Sequence, residues 1–343
     1  MEVKKTEHIF SGKKVSYYFD ASFSMLEQIV SKEKTILVTD ENVFAAAKEN
    51  FNGWQTIVIK AGEENKQQST VDNIIQQLIE KEAGRNTYVV GVGGGVVTDI
   101  AGYAASIYMR GVKFGFVPTT ILAMVDASVG GKNGVDVGPY KNLVGLINQP
   151  EFLLFDYSLL QTLPHEQWVN GFAEIIKHAC IKDAGMFEML EKSSLADFQN
   201  DAALLASLIE RNVNIKTAVV VEDEFEKDDR KLLNFGHTLG HAVENIYQLL
   251  HGHAISVGMM AAAAFSEKLN GFSGVEKQRL KNLLEKYQLP VALDFDKAKV
   301  WNLLKMDKKR ASNEMYFILL DKLGKAAIKP IPVTQLEELI QSL

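Results

Sequence analysis

Four of the seven histidines in this 343-residue chain stand close together, as His237, His241, His251 and His253. The first two close the run Arg230-Lys-Leu-Leu-Asn-Phe-Gly-His-Thr-Leu-Gly-His241. On a helix, residues four apart stack on one face. The spacing predicts about three helical turns presenting Arg230, Asn234, His237 and His241 in a row. Leu232, Leu233, Phe235, Leu239 and Val243 surround that stripe. Solvent-facing helices usually carry Glu and Lys, and core faces carry Leu, so this face is built for something else. Neutral imidazole is the commonest metal ligand, and catalytic zinc takes three protein ligands while leaving a position open. A histidine face satisfied by hydrogen bonds inside a helical core is the alternative. Zinc proteases with this spacing place Glu directly after the first histidine as general base. Thr238 stands there, which argues against peptide hydrolysis. A third ligand has to come from elsewhere. His251 and His253 lie two apart, so on a helix they point about 200° apart and cannot easily both face one ion.

Further along the same reasoning, Tyr88-Val-Val-Gly-Val92 runs into Gly93-Gly-Gly-Val-Val-Thr-Asp99 and then a helical pattern. Glycines at a strand-to-helix turn let a diphosphate approach the backbone, and the helix amino terminus offers free N–H groups and positive dipole. The pattern is GGGxxxD rather than GxGxxG, so the usual dinucleotide fingerprint is absent. A tight turn with close helix packing is the plainer reading. Asp40 ends a strand where ribose hydroxyls could bind, and Ala61-Gly-Glu-Glu-Asn-Lys66 forms a second polar loop after a strand. Lys132 closes Val125-Asp-Ala-Ser-Val-Gly-Gly-Lys132, and Lys141-Asn142 follows. Lysines and an asparagine on Gly-rich loops suit a phosphorylated substrate. Solvated surface lysines are the alternative. Glu174 sits among Phe172, Ala173, Ile175 and Ile176. A carboxylate there needs a partner, either a metal or Lys177, three residues on.

The elements that position these groups change character along the chain. Thr35–Thr39, Thr56–Ile59, Tyr88–Val92, Phe114–Val117 and Phe152–Phe155 read as buried strands. Helical patterns lie between them, around 41–50, 67–82 and 98–109. Such alternation predicts a parallel sheet covered on both faces, with ligands at the carboxyl ends of its strands. From about Glu166 to Tyr287 the periodicity is helical, with Lys216 and Glu226 preceding Arg230 there. The change predicts a mostly helical second domain. Near the end, Met315–Leu320 reads as a strand, hairpinned with Lys325–Lys329 across Leu323-Gly324.

Composition sets limits. With 47% hydrophobic and 23% charged residues, the chain reads as an ordinary soluble globular protein. A net charge of −6 without a long basic run argues against nucleic acid as a main partner. One cysteine, Cys180, excludes an intrachain disulfide and suits a reducing compartment. Met1–His8 lacks the apolar core of a signal peptide. The most apolar region, Tyr88 to Met109, is interrupted by glycines and Asp99, so no membrane span is expected.

With these residues assembled, the chain resembles the 3-dehydroquinate synthases of the sugar phosphate cyclase family. The resemblance runs over nearly the whole chain and rests on several motifs in order. These are GGGVVTDIAGY, RG at 110–111, PTTILAMVDASVGGK, KNLVG, GFAEIIKH, KTAVVVEDE and RKLLNFGHTLGHAVE. It implies a Rossmann-like, NAD-binding parallel-sheet α/β domain at 1–160 and a mostly helical metal- and substrate-binding domain at 161–343. The active site would lie in the cleft. It implies a catalytic zinc or cobalt held by Glu174, His237 and His251. It places NAD contacts at Asp40, Asn42, Gly62, Glu63, Glu64, Asn65 and Lys66. Gly95, Val96, Val97, Thr98, Asp99, Thr119, Thr120, Lys132 and Lys141 continue that set, and Leu159, Leu160, Gln161 and Thr162 complete it. Catalytic and substrate contacts would fall on Asp126, Lys132, Asn142, Lys177, Lys216, Glu226, Arg230, Asn234 and His241, with Lys308 or Lys309 as a further one. Arg110 would reach the neighbouring site in a cytoplasmic homodimer.

The implied activity converts 3-deoxy-D-arabino-heptulosonate 7-phosphate to 3-dehydroquinate and phosphate, on the way to aromatic amino acids. The implied route is transient oxidation by NAD, phosphate elimination, re-reduction, ring opening and aldol closure. One position departs from the family pattern: His253 stands where a glutamate is usual. Two other enzyme readings compete. A sister cyclase making an inosose or a valiolone shares fold, NAD and metal, but Lys216, Arg230 and Asn142 suit a carboxylate-bearing substrate better. A metal-dependent polyol dehydrogenase would release NADH. A non-enzymatic binding protein fits poorly, because too many polar groups converge on one site.

Overall fold

A computed structural model describes residues 3–138, 140–308 and 313–343. The chain forms two compact units. The first comprises residues up to Trp168 together with Ala202–Phe225; the second comprises Val169–Asp201 together with the residues from Glu226 onward.

The first unit holds a sheet of seven strands. In chain order they are β1 (Lys4–Phe10), β2 (Lys13–Phe19), β3 (Thr35–Asp40), β4 (Gln55–Ile59), β5 (Tyr88–Gly93) and β6 (Lys113–Pro118), with Phe152–Leu154 as the seventh. The last joins after a separate hairpin, β7 (Lys132–Val137) and β8 (Tyr140–Ile147), and is therefore β9. The spatial order is β1-β2-β9-β6-β5-β3-β4, parallel throughout except for β1 against β2. The continuous apolar runs arise because central parallel strands are covered on both faces. Thr35–Val38 in β3 and Val89–Val92 in β5 are all buried. Gly115 in β6 makes room for Phe152 in β9: a Cβ there would sit 2.4 Å from that ring.

The five expected strands are present. The helices between them are Glu41–Ala46, Gln68–Glu80 and Gly95–Ile107. The first is shorter than the pattern around 41–50 suggested, since Ala47 leaves helical geometry and a 3₁₀ turn follows at Lys48–Phe51. The last begins at Gly95 rather than near 98. Two hairpins, β1–β2 and β7–β8, were not anticipated. The first unit also takes in the helix Ala202–Glu222, which the expected single boundary near 160 assigns to the second. Lys216 therefore lies with the parallel sheet and not in the helical unit. Glu226 lies beyond that helix, with a left-handed φ of 57°.

The second unit is mainly helical. Its principal helices are His165–Lys182 (from Val169 on), His237–Tyr247, His251–Asn270, Gly274–Lys286 and Val333–Gln341. A hairpin of β10 (Glu314–Lys322) and β11 (Lys325–Pro332) turns at Leu323-Gly324, as expected. Leu239, Val243, Phe265, Val300, Trp301, Phe317 and Leu336 meet in its core.

The three-turn stripe from Arg230 to His241 is not one helix. Asp229–Asn234 is a 3₁₀ turn, Phe235 departs from helical geometry, and Gly236 takes φ +80° before the helix starts at His237. Glycine tolerates that left-handed position without steric cost. It also permits close approach, because a Cβ on Gly236 would lie 2.9 Å from the Ile255 carbonyl oxygen. His251–Asn270 packs equally closely from its own side: a Cβ on Gly258 would fall 1.9 Å from the Gly236 carbonyl oxygen. Small residues thus bring the two histidine-bearing helices together.

Candidate active site

In the second unit, three potential ligands converge from three helices. Glu174 is fully buried on His165–Lys182, His237 opens one helix, and His251 opens the next. Their ligand atoms all lie within 4.8 Å of one another. His251 Nε2 stands 3.3 Å from Glu174 Oε1, and His237 Nε2 stands 3.7 Å from the same oxygen. His237 Nδ1 faces the Phe235 carbonyl oxygen at 3.2 Å, and His251 Nδ1 faces Glu244 Oε2 at 3.3 Å. An N–H directed at either acceptor leaves Nε2 as the lone-pair nitrogen on the Glu174 side. His241 lies one turn beyond His237, its ring centroid 5.0 Å from that ring and 6.0 Å from His251. His241, Glu244 and His251 form a second set with metal-ligand spacing that shares His251.

The electrostatics favour a cation at this point. Burial opposes charge on His251, but hydrogen bonds to Glu174 and Glu244 outweigh it and push the imidazole up to about 10. Carboxylates that attract a proton so strongly also attract a metal ion. Burial, reinforced by Lys177, holds His237 well below the usual imidazole range despite Glu174. Burial thus favours its uncharged form, the form in which an imidazole binds a metal. Lys177, 1% exposed, pairs with Glu174. The donor set of two imidazoles and one carboxylate fits zinc or cobalt.

Around this cluster, Arg230 is 2% exposed in the 3₁₀ turn, and Asn234 donates through its side-chain amide to Glu226. Of the expected residues of the second unit, Glu174, Lys177, His237, His241 and His251 come together directly. Lys308 ends a helix whose side chains there are not described, and Lys309 lies outside the described residues. Glu244 was missed by sequence reasoning, although its position seven residues after His237 places it on the same helical face.

The first unit gathers its own polar set. β5 ends at Gly93, and Gly94 precedes the helix Gly95–Ile107 with no side chain capping it. A Cβ on Gly94 would approach Thr120 at 3.2 Å, and one on Gly95 would approach Ala127 at 3.2 Å. Thr98 Oγ1 bonds back to the Gly95 carbonyl, and Val97 is buried against the sheet. The turn is therefore both tightly packed and open at its backbone, which fits a pyrophosphate. Thr119, 4% exposed, donates its N–H to the Gly93 carbonyl and lies beside the turn.

Lys66 links this helix to the β7–β8 hairpin. Its ammonium lies 2.6 Å from Asp99 Oδ2 and 2.6 Å from Asn142 Oδ1. Burial works against its charge, but Asp99 and Glu63 outweigh burial and hold it above the usual lysine range. Lys141 reaches Glu63 at 3.3 Å. Gly62 takes φ +105° at the head of the loop carrying Glu63, Glu64 and Asn65. Asp40 caps the helix Glu41–Ala46, accepting from the N–H groups of Asn42 and Val43, so one oxygen is already engaged. Leu159 and Leu160 pack in a 3₁₀ turn that begins at Tyr157, with Gln161 and Thr162 following.

Asp126 lies in a single π-helical turn, Ala123–Ala127, a geometry that often accompanies functional sites. Lys216 donates to its backbone oxygen at 2.6 Å and lies 2.7 Å from its carboxylate. Lys132 opens β7 and is exposed. Arg110 is exposed on the turn Tyr108–Arg110, where Met109, Arg110 and Gly111 all take positive φ.

Comparison with known proteins agrees with these elements. The family model described as 3-dehydroquinate synthase N-terminal matches residues 56–170, and that described as 3-dehydroquinate synthase C-terminal matches residues 171–310. The 3-dehydroquinate synthase of Methylacidiphilum infernorum is 40% identical over 313 residues, covering 88% of this chain and 86% of that one. Among solved structures, 2-deoxy-scyllo-inosose synthase complexed with carbaglucose-6-phosphate, NAD+ and Co2+ superposes with a TM-score of 0.87. It is 27% identical and covers 99% of both chains. ValA (2-epi-5-epi-valiolone synthase) from Streptomyces hygroscopicus subsp. jinggangensis, with NAD+ and Zn2+ bound, also gives 0.87 at 25% identity, over 100% of this chain and 99% of that one. Two consecutive family models and a relative matched over most of its length leave one assignment: the chain belongs to the 3-dehydroquinate synthase family.

Proposed function

We propose that the chain converts 3-deoxy-D-arabino-heptulosonate 7-phosphate to 3-dehydroquinate and phosphate, as a phosphate-eliminating carbon–oxygen lyase. The observation that carries this is the convergence of Glu174, His237 and His251 in a chain of this family. These three would hold one zinc or cobalt, which when bound supplies Lewis-acid polarisation of a substrate hydroxyl. NAD, when bound, supplies a hydride acceptor that later returns the hydride. Both groups accompany the sister cyclases above.

The chain's own residues divide into roles. The glycine turn and the N–H groups of Gly95, Val96 and Val97 receive the pyrophosphate, with Asp40, Asn42, Glu63, Lys66, Thr98, Asp99, Thr119, Thr120, Lys141 and Leu159–Thr162 around the rest of the dinucleotide. Lys132, Lys177, Lys216 and Arg230 counter the carboxylate and phosphate of the substrate. Asp126, Asn142, Glu226, Asn234 and His241 orient its hydroxyls or those cations. Arg110 faces solvent and would serve the neighbouring site of a homodimer. Oxidation makes a ketone that acidifies the adjacent C–H. Phosphate then leaves, the ketone is reduced again, the ring opens, and aldol addition closes the carbocycle. No net oxidation results.

The test is phosphate release from the heptulosonate phosphate by the purified chain with NAD, before and after chelation. Release should need the metal, return with zinc or cobalt, and proceed without accumulation of NADH. A sister cyclase remains the second reading, favoured by the structural likeness at 25–27% identity but outweighed by 40% identity to a 3-dehydroquinate synthase. Turnover of a hexose phosphate, with none of the heptulosonate phosphate, would reverse that order.

A further inference from the structure

Glu244 is a carboxylate buried to 4% exposure inside a helix, and no role above requires it. It shares a helical face with His237, two turns earlier, and with His241, three residues earlier. Its Oε2 lies 3.3 Å from Nδ1 of His251, while Nε2 of the same ring lies 3.3 Å from Glu174 Oε1. The His251 ring is thus held between carboxylates at its two nitrogens. His237 has the backbone oxygen of Phe235 in the matching place.

His251 is the less enclosed of the two histidines, its side chain 26% exposed against 11% for His237. It is also the first residue of its helix. The backbone there is fixed, because the Gly252 N–H donates to Asn170 Oδ1 at 2.6 Å. The ring still needs an acceptor to choose its tautomer and rotamer. His253, two residues on, points about 200° away around the helix and is poorly placed to supply one.

We propose that Glu244 is the positioning residue of the third ligand. It accepts the Nδ1–H of His251, which leaves the Nε2 lone pair directed at the metal position and makes that nitrogen a stronger donor. This rests on the ligand set Glu174, His237 and His251 proposed above.

The full chain, freed of metal, is titrated with cobalt(II) alone. Affinity is read by competition with a chelator, and ligand geometry by the visible cobalt bands. Glu244→Met, which removes the acceptor, should bind cobalt roughly 10–100-fold more weakly with altered bands. Glu244→Gln, which keeps an acceptor oxygen but not the charge, should fall between Met and the unaltered chain. That graded order separates positioning from general packing. His251→Ala is the reference and should lose stoichiometric cobalt. Should the Met variant fail to fold, the Gln variant carries the comparison. Unchanged affinity and bands in the folded Glu244 variants, with cobalt lost in His251→Ala, would overturn the positioning role and leave the ligand set standing. Stoichiometric, tight cobalt in His251→Ala would instead overturn the ligand set, and the proposal with it.

Discussion

Replacing Gly258 with alanine tests whether helix proximity builds the cluster of Glu174, His237 and His251. A Cβ at Gly258 would sit 1.9 Å from the Gly236 carbonyl oxygen and 2.9 Å from the Gly240 nitrogen. Ordinary contact begins at 3.4 Å, so the gap has to open by 3.4 − 1.9 = 1.5 Å. The obstacle is backbone, so no rotamer change relieves it. The helix His251–Asn270 then moves off His237–Tyr247, and His251 moves away from His237 and Glu174. Helix propensity works in the opposite direction, favouring alanine by about 1 kcal/mol. Overpacking typically costs about 1–3 kcal/mol, and here it falls on rigid backbone. A net loss of roughly 1–2 kcal/mol is therefore expected, measured by denaturant unfolding of the metal-free chain. The functional loss should be larger, because a displacement of about 1 Å can cost on the order of 10²-fold in turnover. Zinc affinity should fall with it. Gly84→Ala is the control, since a Cβ there meets nothing within 4 Å. A Gly258→Ala protein with unaltered unfolding and unaltered zinc affinity would show that the helices do not pack as described.

Three other outcomes follow from features of the separate units. Lys66→Met leaves the Asp99 carboxylate without its 2.6 Å partner and should destabilise the chain by roughly 3–5 kcal/mol; Lys66→Met combined with Asp99→Asn should recover part of that, and additive losses would refute the pairing. Arg279 holds Glu191 below the usual carboxylate range by a two-pronged hydrogen bond on a partly exposed surface. Because that carboxyl is lowered in the folded state, its stabilisation is present above the unfolded value of about 4.3 and lost as pH falls through the folded value. Arg279→Ala should therefore cost about 0.5–1 kcal/mol at pH 7 and nothing measurable near pH 2, and a pH-independent cost would exclude the ion pair as its cause. Lys216→Met and Arg230→Met should depress turnover far more than NAD affinity, and the opposite pattern in equilibrium binding would move these residues to the cofactor.

Much of the first unit can be read before folding is considered, because central parallel strands announce themselves as unbroken apolar runs. The hairpin β1–β2 has a short sequence signal, Ser11-Gly12 between two strand-like stretches, and both residues take positive φ in the turn. β7–β8 is harder to see, since much of β8 is exposed and lacks a buried alternation. The break at Gly236 is invisible to periodicity, because the apolar pattern continues through it and only the φ of one glycine differs. The helix Ala202–Glu222 has the same period whichever unit it packs on, so its membership depends on contacts made in three dimensions. In the histidine cluster, Glu174, His237 and His251 are grouped by sequence motifs far apart in the chain, and their side chains do converge. The carboxylate behind His251 is not so grouped, because a glutamate within a helix ordinarily reads as solvent-facing.

The placement of Ala202–Phe225 with the parallel sheet means that the chain passes between units at 168/169, 201/202 and 225/226. Neither unit is a continuous segment, so cutting the gene at one point yields two incomplete halves. A fragment ending at Trp168 would lack the helix whose Thr217 hydroxyl donates to the buried Tyr17 hydroxyl and whose Lys216 pairs with Asp126. During synthesis at about 5–20 residues per second, the first unit waits roughly 3–11 s between residue 168 and residue 225 before it can close. Over that interval its apolar surface is uncovered, and the helical residues made meanwhile have no finished partner of their own. Rare codons or a chaperone site within residues 169–201 would be felt by the parallel sheet, although that stretch encodes helices of the other unit.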